Sequence, residues 1–122
     1  MWSNCLFVAL GGGLGAVGRY LLSLIAAPWS FPVMTLLTNF LGAVVIGAVA
    51  QAAGQLPMSK SAVLFLKTGL CGGFTTFSTF SLETVELLEQ GRWAAGGGYI
   101  LASVGLCLAG LLLGRALVWK IF

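Results

Sequence analysis

The chain has 122 residues, of which 59% are hydrophobic and only 7% are charged: six Lys or Arg, three Glu, no Asp and no His. A small soluble domain needs about 25% charged residues to cover its surface, so this composition excludes one. It equally excludes a disordered chain, which needs low hydrophobicity and high charge.

A mean hydropathy of +1.04 points to lipid as the solvent. A spanning helix takes about 20 apolar residues, so four spans use about 80 and leave about 40 for loops. Residues 1–122 therefore read as a single all-α membrane domain. The first apolar segment runs from about Cys5 to Ala27 and stops at Pro28-Trp29-Ser30. No Lys or Arg precedes it, and it is too long for a signal-peptide core, so it reads as a permanent span. The second runs from about Pro32 to Ala53 and ends at Gly54-Gln55-Leu56-Pro57. The third runs over about 61–88 and the fourth over about 93–119. Trp2, Trp29, Trp93 and Trp119 mark the segment ends, where amphipathic rings meet headgroups. Four spans put both termini on one side. That side holds Lys60, Lys67, Arg115 and Lys120, against Arg92 and Arg19 for the other, a weak orientation bias compatible with insertion both ways.

The 18 glycines include Gly11-Gly12-Gly13, Gly15, Gly18, Gly42, Gly47 and Gly96-Gly97-Gly98. Glycine is common in membrane helices, but this density favours close helix and subunit packing. Cys5, Cys71 and Cys107 are too dispersed for a disulfide framework or a zinc site. Six scattered cations form no nucleic-acid footprint. Without His, and with no assembled base and nucleophile, an enzyme is the least supported class.

The third segment is anomalous. From Thr75 to Thr84 seven of ten residues are polar. On a helix Thr75, Ser78 and Ser81 share one face, with Thr76, Thr79 and Glu83 beside it. Hydroxyls can bond back to their own helix, but seven such positions favour a face turned to protein or water. Gly72-Gly73 precedes the run and predicts a break, whose free backbone groups survive only in protein or beside a cavity. Phe77 and Phe80 lie three apart within the run. Their positive ring edges can solvate a small anion, and core packing is the plainer alternative. Asn39 sits mid-span one turn after Thr35, placed either to hydrate an anion or to bridge helices. Arg19 lies inside the first segment, setting a positive potential or snorkelling to the interface. Tyr99, Ser103 and Cys107 form a stripe on the fourth segment at intervals of four. Glu83 and Glu86 pair most simply with Arg92 or Arg115.

The run Gly72-Gly73-Phe74-Thr75-Thr76-Phe77-Ser78-Thr79-Phe80-Ser81 resembles the signature of the Fluc fluoride channels, also called CrcB-like proteins. Gly11 to Ala16 with Gly18-Arg19-Tyr20, and Thr35 to Gly42, resemble the family's other two motifs, in family order. The resemblance covers essentially the whole chain. It implies a dual-topology antiparallel homodimer in the bacterial inner membrane, with the third helix broken mid-membrane. It also implies two pores that export fluoride passively and lower its toxicity. Phe77 and Phe80 would meet fluoride by ring edges, with Asn39 near the path and Arg19 in the vestibule. By the same resemblance Thr35, Ser81, Tyr99 and Ser103 stand at further polar positions, and Cys107 stands where many members carry a hydroxyl. A central Na⁺ would be held by backbone carbonyls of Gly72 and Thr75 from each subunit.

Two rivals come from other classes. A small proton-coupled multidrug exporter needs a membrane-embedded acid, and every Glu lies near the end of the third segment. A non-conducting assembly subunit explains the glycines but not the Thr/Ser/Phe run.

Overall fold

A computed structural model describes all 122 residues. It is entirely helical: α1 (Trp2–Ser23), α2 (Val33–Gln55), α3 (Lys60–Val63), a π-helical stretch (Leu64–Cys71), α4 (Gly72–Phe74), α5 (Phe77–Glu89) and α6 (Trp93–Ile121). Helices α1, α2 and α6 are each long and apolar enough to cross a membrane. The third apolar segment contributes no single helix of that kind, because it is divided among α3 to α5.

Local chemistry sets the boundaries. Pro32 precedes α2 and Pro57 follows it, as expected of a residue that pre-sets a helix start and cannot continue one. The Ser59 hydroxyl caps α3 by accepting from the Ala62 N–H at 3.1 Å. Gly91, at φ +75°, makes the left-handed turn between α5 and α6.

The helices pack as two parallel pairs. Gly11 of α1 abuts Phe65 and Gly69, and Gly15 abuts Leu70 and Phe74, so both chains rise together. On the other side Gly110 of α6 faces the Phe40 ring, and Gly114 faces Val44 and Ala48 of α2. A Cβ on Gly15 or Gly114 would drive into the neighbouring backbone. Lipid offers helices no hydrophobic reason to associate, so this close approach of backbones supplies the packing.

Gly72 and Gly73 do not open the helix. Gly72 is α-helical (φ −63°, ψ −38°) and Gly73 lies within α4. The extended residues are Thr75 (ψ 156°) and Thr76 (φ −148°, ψ 116°), which separate α4 from α5. The physical reason is packing: a Cβ on Gly73 would strike the Gly12 carbonyl, so this glycine admits α1 rather than unusual dihedrals. Consequently Thr75 does not share a helical face with Ser78 and Ser81.

Candidate functional site

The two extended residues are held from α2. Asn39 accepts from the Thr76 N–H at 2.7 Å through Oδ1 and donates from Nδ2 to the Thr76 carbonyl at 3.0 Å. Of the two roles open to Asn39, the structure shows the bridge; one N–H of its amide remains beyond it. Thr76 then starts α5, its hydroxyl accepting from the Thr79 N–H at 3.1 Å and donating to Thr79 Oγ1 at 3.0 Å.

These contacts redirect backbone donors. In a continued helix the Thr76 N–H would reach the Gly72 carbonyl, but Asn39 takes it. The Thr79 N–H would reach the Thr75 carbonyl, but Thr76 Oγ1 takes it. Gly72 and Thr75 thus present carbonyls without their helical donors, and Gly72 is exposed. Between them, the Gly73 carbonyl accepts from Arg19 Nε at 3.3 Å. This half-buried guanidinium sits at the end of a helical piece, where free carbonyls make cations favourable.

Beside Thr75 and Thr76 lies an open cavity of about 370 Å³, lined also by Asn39, Phe77, Phe80 and Ser103, with Cys107 one turn beyond. The Phe77 and Phe80 rings are 5.4 Å apart and inclined at 49°. Phe77 is 78% exposed, while Phe80 is only 9% exposed. Behind Phe80 the Tyr99 ring stands edge-on at 5.1 Å, and Phe31 stands edge-on to Tyr99 at 5.4 Å. Such tilted pairs point positive edges at negative faces, which fixes ring orientation.

The hydroxyls divide into engaged and free. Thr35 donates to Glu83 Oε1 at 2.7 Å, and Tyr99 donates to Oε2 at 2.6 Å. Ser81 donates to the Phe77 carbonyl at 2.9 Å, the helical back-bonding that its position allows. Only Ser103 has a buried side-chain oxygen without a partner. Thr35, Tyr99 and Glu83 therefore form one cluster behind the ring pair, whereas Asn39, Ser103 and the rings gather at the cavity.

Glu83 departs from its expected pairing with Arg92 or Arg115. Its position on α5 faces α2 and α6, so it meets two hydroxyls, while Arg92 donates to the Ser30 carbonyl at 3.0 Å. The sequence signal was faint: Thr35 and Asn39 lie one turn apart on α2, as Tyr99 and Ser103 do on α6.

A family model for CrcB-like protein, Camphor Resistance (CrcB), matches residues 6–115. The chain belongs to the CrcB-like family. A fluoride-specific ion channel of Roseiflexus is 47% identical to it over 115 residues, covering 91% of this chain and 93% of the relative. Another from Ruminiclostridium cellulolyticum is 44% identical over 118 residues, covering 93% and 91%. A third from Shewanella frigidimarina is 46% identical over 122 residues, covering 97% and 98%. In this CrcB-like chain the matched region contains the Asn39 bridge, both extended threonines, the ring pair and Ser103. These relatives carry the names of ion channels and not of enzymes.

Proposed function

We propose that this CrcB-like protein is a passive, fluoride-selective channel of the bacterial inner membrane that lets cytoplasmic fluoride escape and so lowers its toxicity. The observation that carries this reading is the cavity where the Phe77–Phe80 pair meets an unclaimed Ser103 hydroxyl and a spare Asn39 N–H. Fluoride is small and strongly hydrated, so a path must replace water's hydrogen bonds. Neutral N–H and O–H donors with positive ring edges do that without a fixed charge. Conduction needs sites weak enough to release the ion, and this wall offers such sites. Names of relatives 44–47% identical over nearly the whole chain support the same reading.

In this reading Ser103 and Asn39 contact the ion directly. Thr35 and Tyr99 act through Glu83, whose carboxylate fixes the Tyr99 ring behind Phe80. Ser81 lies near the rings with its hydrogen turned to the helix. Arg19 spends one N–H on Gly73 and keeps its outer N–H groups to make a vestibule positive.

The functional unit is an antiparallel, dual-topology homodimer, with the extended threonines at mid-membrane. The exposure of the Phe77 ring supports it, because a ring in a pore wall needs an opposite wall. The third apolar segment completes four crossings per subunit. At the dimer centre a Na⁺ ion would be held by the Gly72 and Thr75 carbonyls of each subunit. The donor set fits: these oxygens lack their helical donors, and Gly72 leaves open space in place of a side chain. Alkali cations, like other hard cations, take oxygen ligands. When bound, the ion joins the subunits and adds a fixed positive charge.

The test is efflux from liposomes loaded with fluoride or chloride, with a K⁺ ionophore balancing charge. Fluoride is released and chloride retained. Trapped fluoride, or equal loss of both anions, overturns the proposal.

One observation favours the exporter as a second reading. Glu83 is a half-buried acid inside the bundle, the group that proton exchange requires. Both its oxygens are already engaged by hydroxyls. Uptake of a cationic dye driven by a proton gradient would establish that reading in place of the channel.

A further inference from the structure

We infer that one end of the bundle, carrying Lys60, Lys67, Arg115 and Lys120, is a binding surface for the headgroups of anionic phospholipids. The helix pairing places these residues together by level. Helix α1 rises in parallel with the third segment and α2 in parallel with α6, so the start of α3 and the end of α6 share one end. All four cations are exposed. Every carboxylate side chain of the protein, Glu83, Glu86 and Glu89, lies on α5 towards the opposite end.

The two remaining cations behave differently. Arg19 is held by the Gly73 carbonyl and Arg92 by the Ser30 carbonyl. Arg19 and Arg92 also share their end with the three glutamates, whereas the four at the basic end have no carboxylate side chain at their level. Lys67 lies seven residues beyond Lys60, about 10 Å along a helix, and Arg115 lies five before Lys120. Side chains at such depth reach back to the headgroup level. There a phosphodiester supplies acceptors that match both an ammonium and a guanidinium fork. Trp119 stands one turn beyond Arg115 and is 70% exposed, an indole at the headgroup level on the same helix face.

Charge decides which lipid. A zwitterionic headgroup carries its own cation and gains little, whereas a net anionic one balances the surface. Attraction of about 1 kcal/mol per basic residue corresponds to about fivefold enrichment each. Lys60 and Lys67 sit on one helix pair, and Arg115 and Lys120 on the other, so the surface spans both pairs.

The experiment uses the full chain in phosphatidylcholine vesicles containing a minor fraction of brominated lipid. A variant with Trp2, Trp29 and Trp93 changed to Phe keeps Trp119 as its sole indole. Brominated phosphatidylglycerol should quench Trp119 at least about twofold more than the same fraction of brominated phosphatidylcholine. Adding K60Q, K67Q, R115Q and K120Q to the Trp119 variant should abolish the preference. Equal quenching at Trp119, or a preference that survives the four substitutions, overturns the proposal. So does erasure of the preference by inorganic phosphate but not by sodium chloride of equal ionic strength, which would mark a general anion site. For the unaltered chain, native mass spectrometry from mixed micelles should show phosphatidylglycerol retained over phosphatidylcholine; equal retention also overturns it. None of these readouts requires transport, so this surface and the channel reading stand or fall separately.

Discussion

Asn39 grips the backbone of Thr76 by both edges of its amide, accepting at 2.7 Å and donating at 3.0 Å. A side chain on α2 thereby replaces the backbone pairing that the third segment loses where α4 stops. Half-buried N–H and C=O groups in lipid must find partners, and here one residue serves both.

Removing that grip should separate donor from acceptor. Asn39→Ala leaves both Thr76 groups unsatisfied and should cost about 2–4 kcal/mol. Asn39→Asp keeps the acceptor for the Thr76 N–H but loses the donor. Thermal unfolding in detergent should rank wild type above Asp and Asp above Ala. Equal melting of Asp and Ala would mean that the N–H contact contributes nothing.

Glu83 organises a second cluster, and its two donors come from different helices. Tyr99→Phe removes one hydroxyl from the carboxylate while keeping the ring against Phe80 and Phe31. Hydrogen bonds to charged groups contribute about 1.5–3 kcal/mol, so a drop of that size is expected. Glu83→Gln replaces one acceptor by a donor, forcing one hydroxyl to turn. Both variants should lower fluoride efflux, because both act on the ring behind Phe80. Unchanged efflux in both would detach the cluster from the path.

The two phenylalanines should respond differently because their burial differs. Phe80→Ile removes an aromatic edge from a packed site and should cut fluoride efflux strongly, with a modest stability loss. Phe77→Leu alters an exposed ring and should leave monomer stability within about 0.5 kcal/mol. Its effect should fall on efflux. Paired measurements of unfolding and liposome flux check this, and normal flux in both variants would remove the ring-edge argument.

Much of this architecture is legible from residues alone. Pro28, Pro32, Gly54 and Pro57 punctuate the apolar segments, and the hydroxyl run of the third segment announces a surface unsuited to lipid. The position of the extended residues is less legible. Gly72-Gly73 suggests free dihedrals, yet Gly73 is there to let the Gly12 backbone approach. The decisive partner of Thr76 is Asn39, 37 residues away, and no local pattern encodes that distance. The Glu83 cluster was hidden for the same reason: Thr35 lies 48 residues from it and Tyr99 lies 16. Charge counting favoured an arginine partner, whereas tertiary placement supplied two hydroxyls.

Close backbone contacts give a prediction independent of ion chemistry. Gly114→Ala places a methyl against the Val44 carbonyl and the Ala48 N–H, so α2 and α6 must move apart. Overpacking of this kind costs about 1–3 kcal/mol. Gly13→Ala meets open space and should be neutral or slightly stabilising through helix propensity. Detergent unfolding curves compare them directly, and equal effects would refute the close-approach account.

Ser103 provides the sharpest separation of stability from transport. Its hydroxyl is buried without a protein partner, an arrangement that costs folding energy. Ser103→Ala removes the unsatisfied group with little change in volume, so unfolding should be unchanged or shift upward by up to about 1 kcal/mol. If the hydroxyl serves a passing anion, fluoride efflux should nevertheless fall. Ser103→Thr keeps a hydroxyl and should retain more flux than Ala if the added methyl fits the cavity. A merely structural serine would give the reverse result, with stability lost and flux preserved. That pairing of a stable fold with a lost flux is the outcome that links the unsatisfied oxygen to the ion.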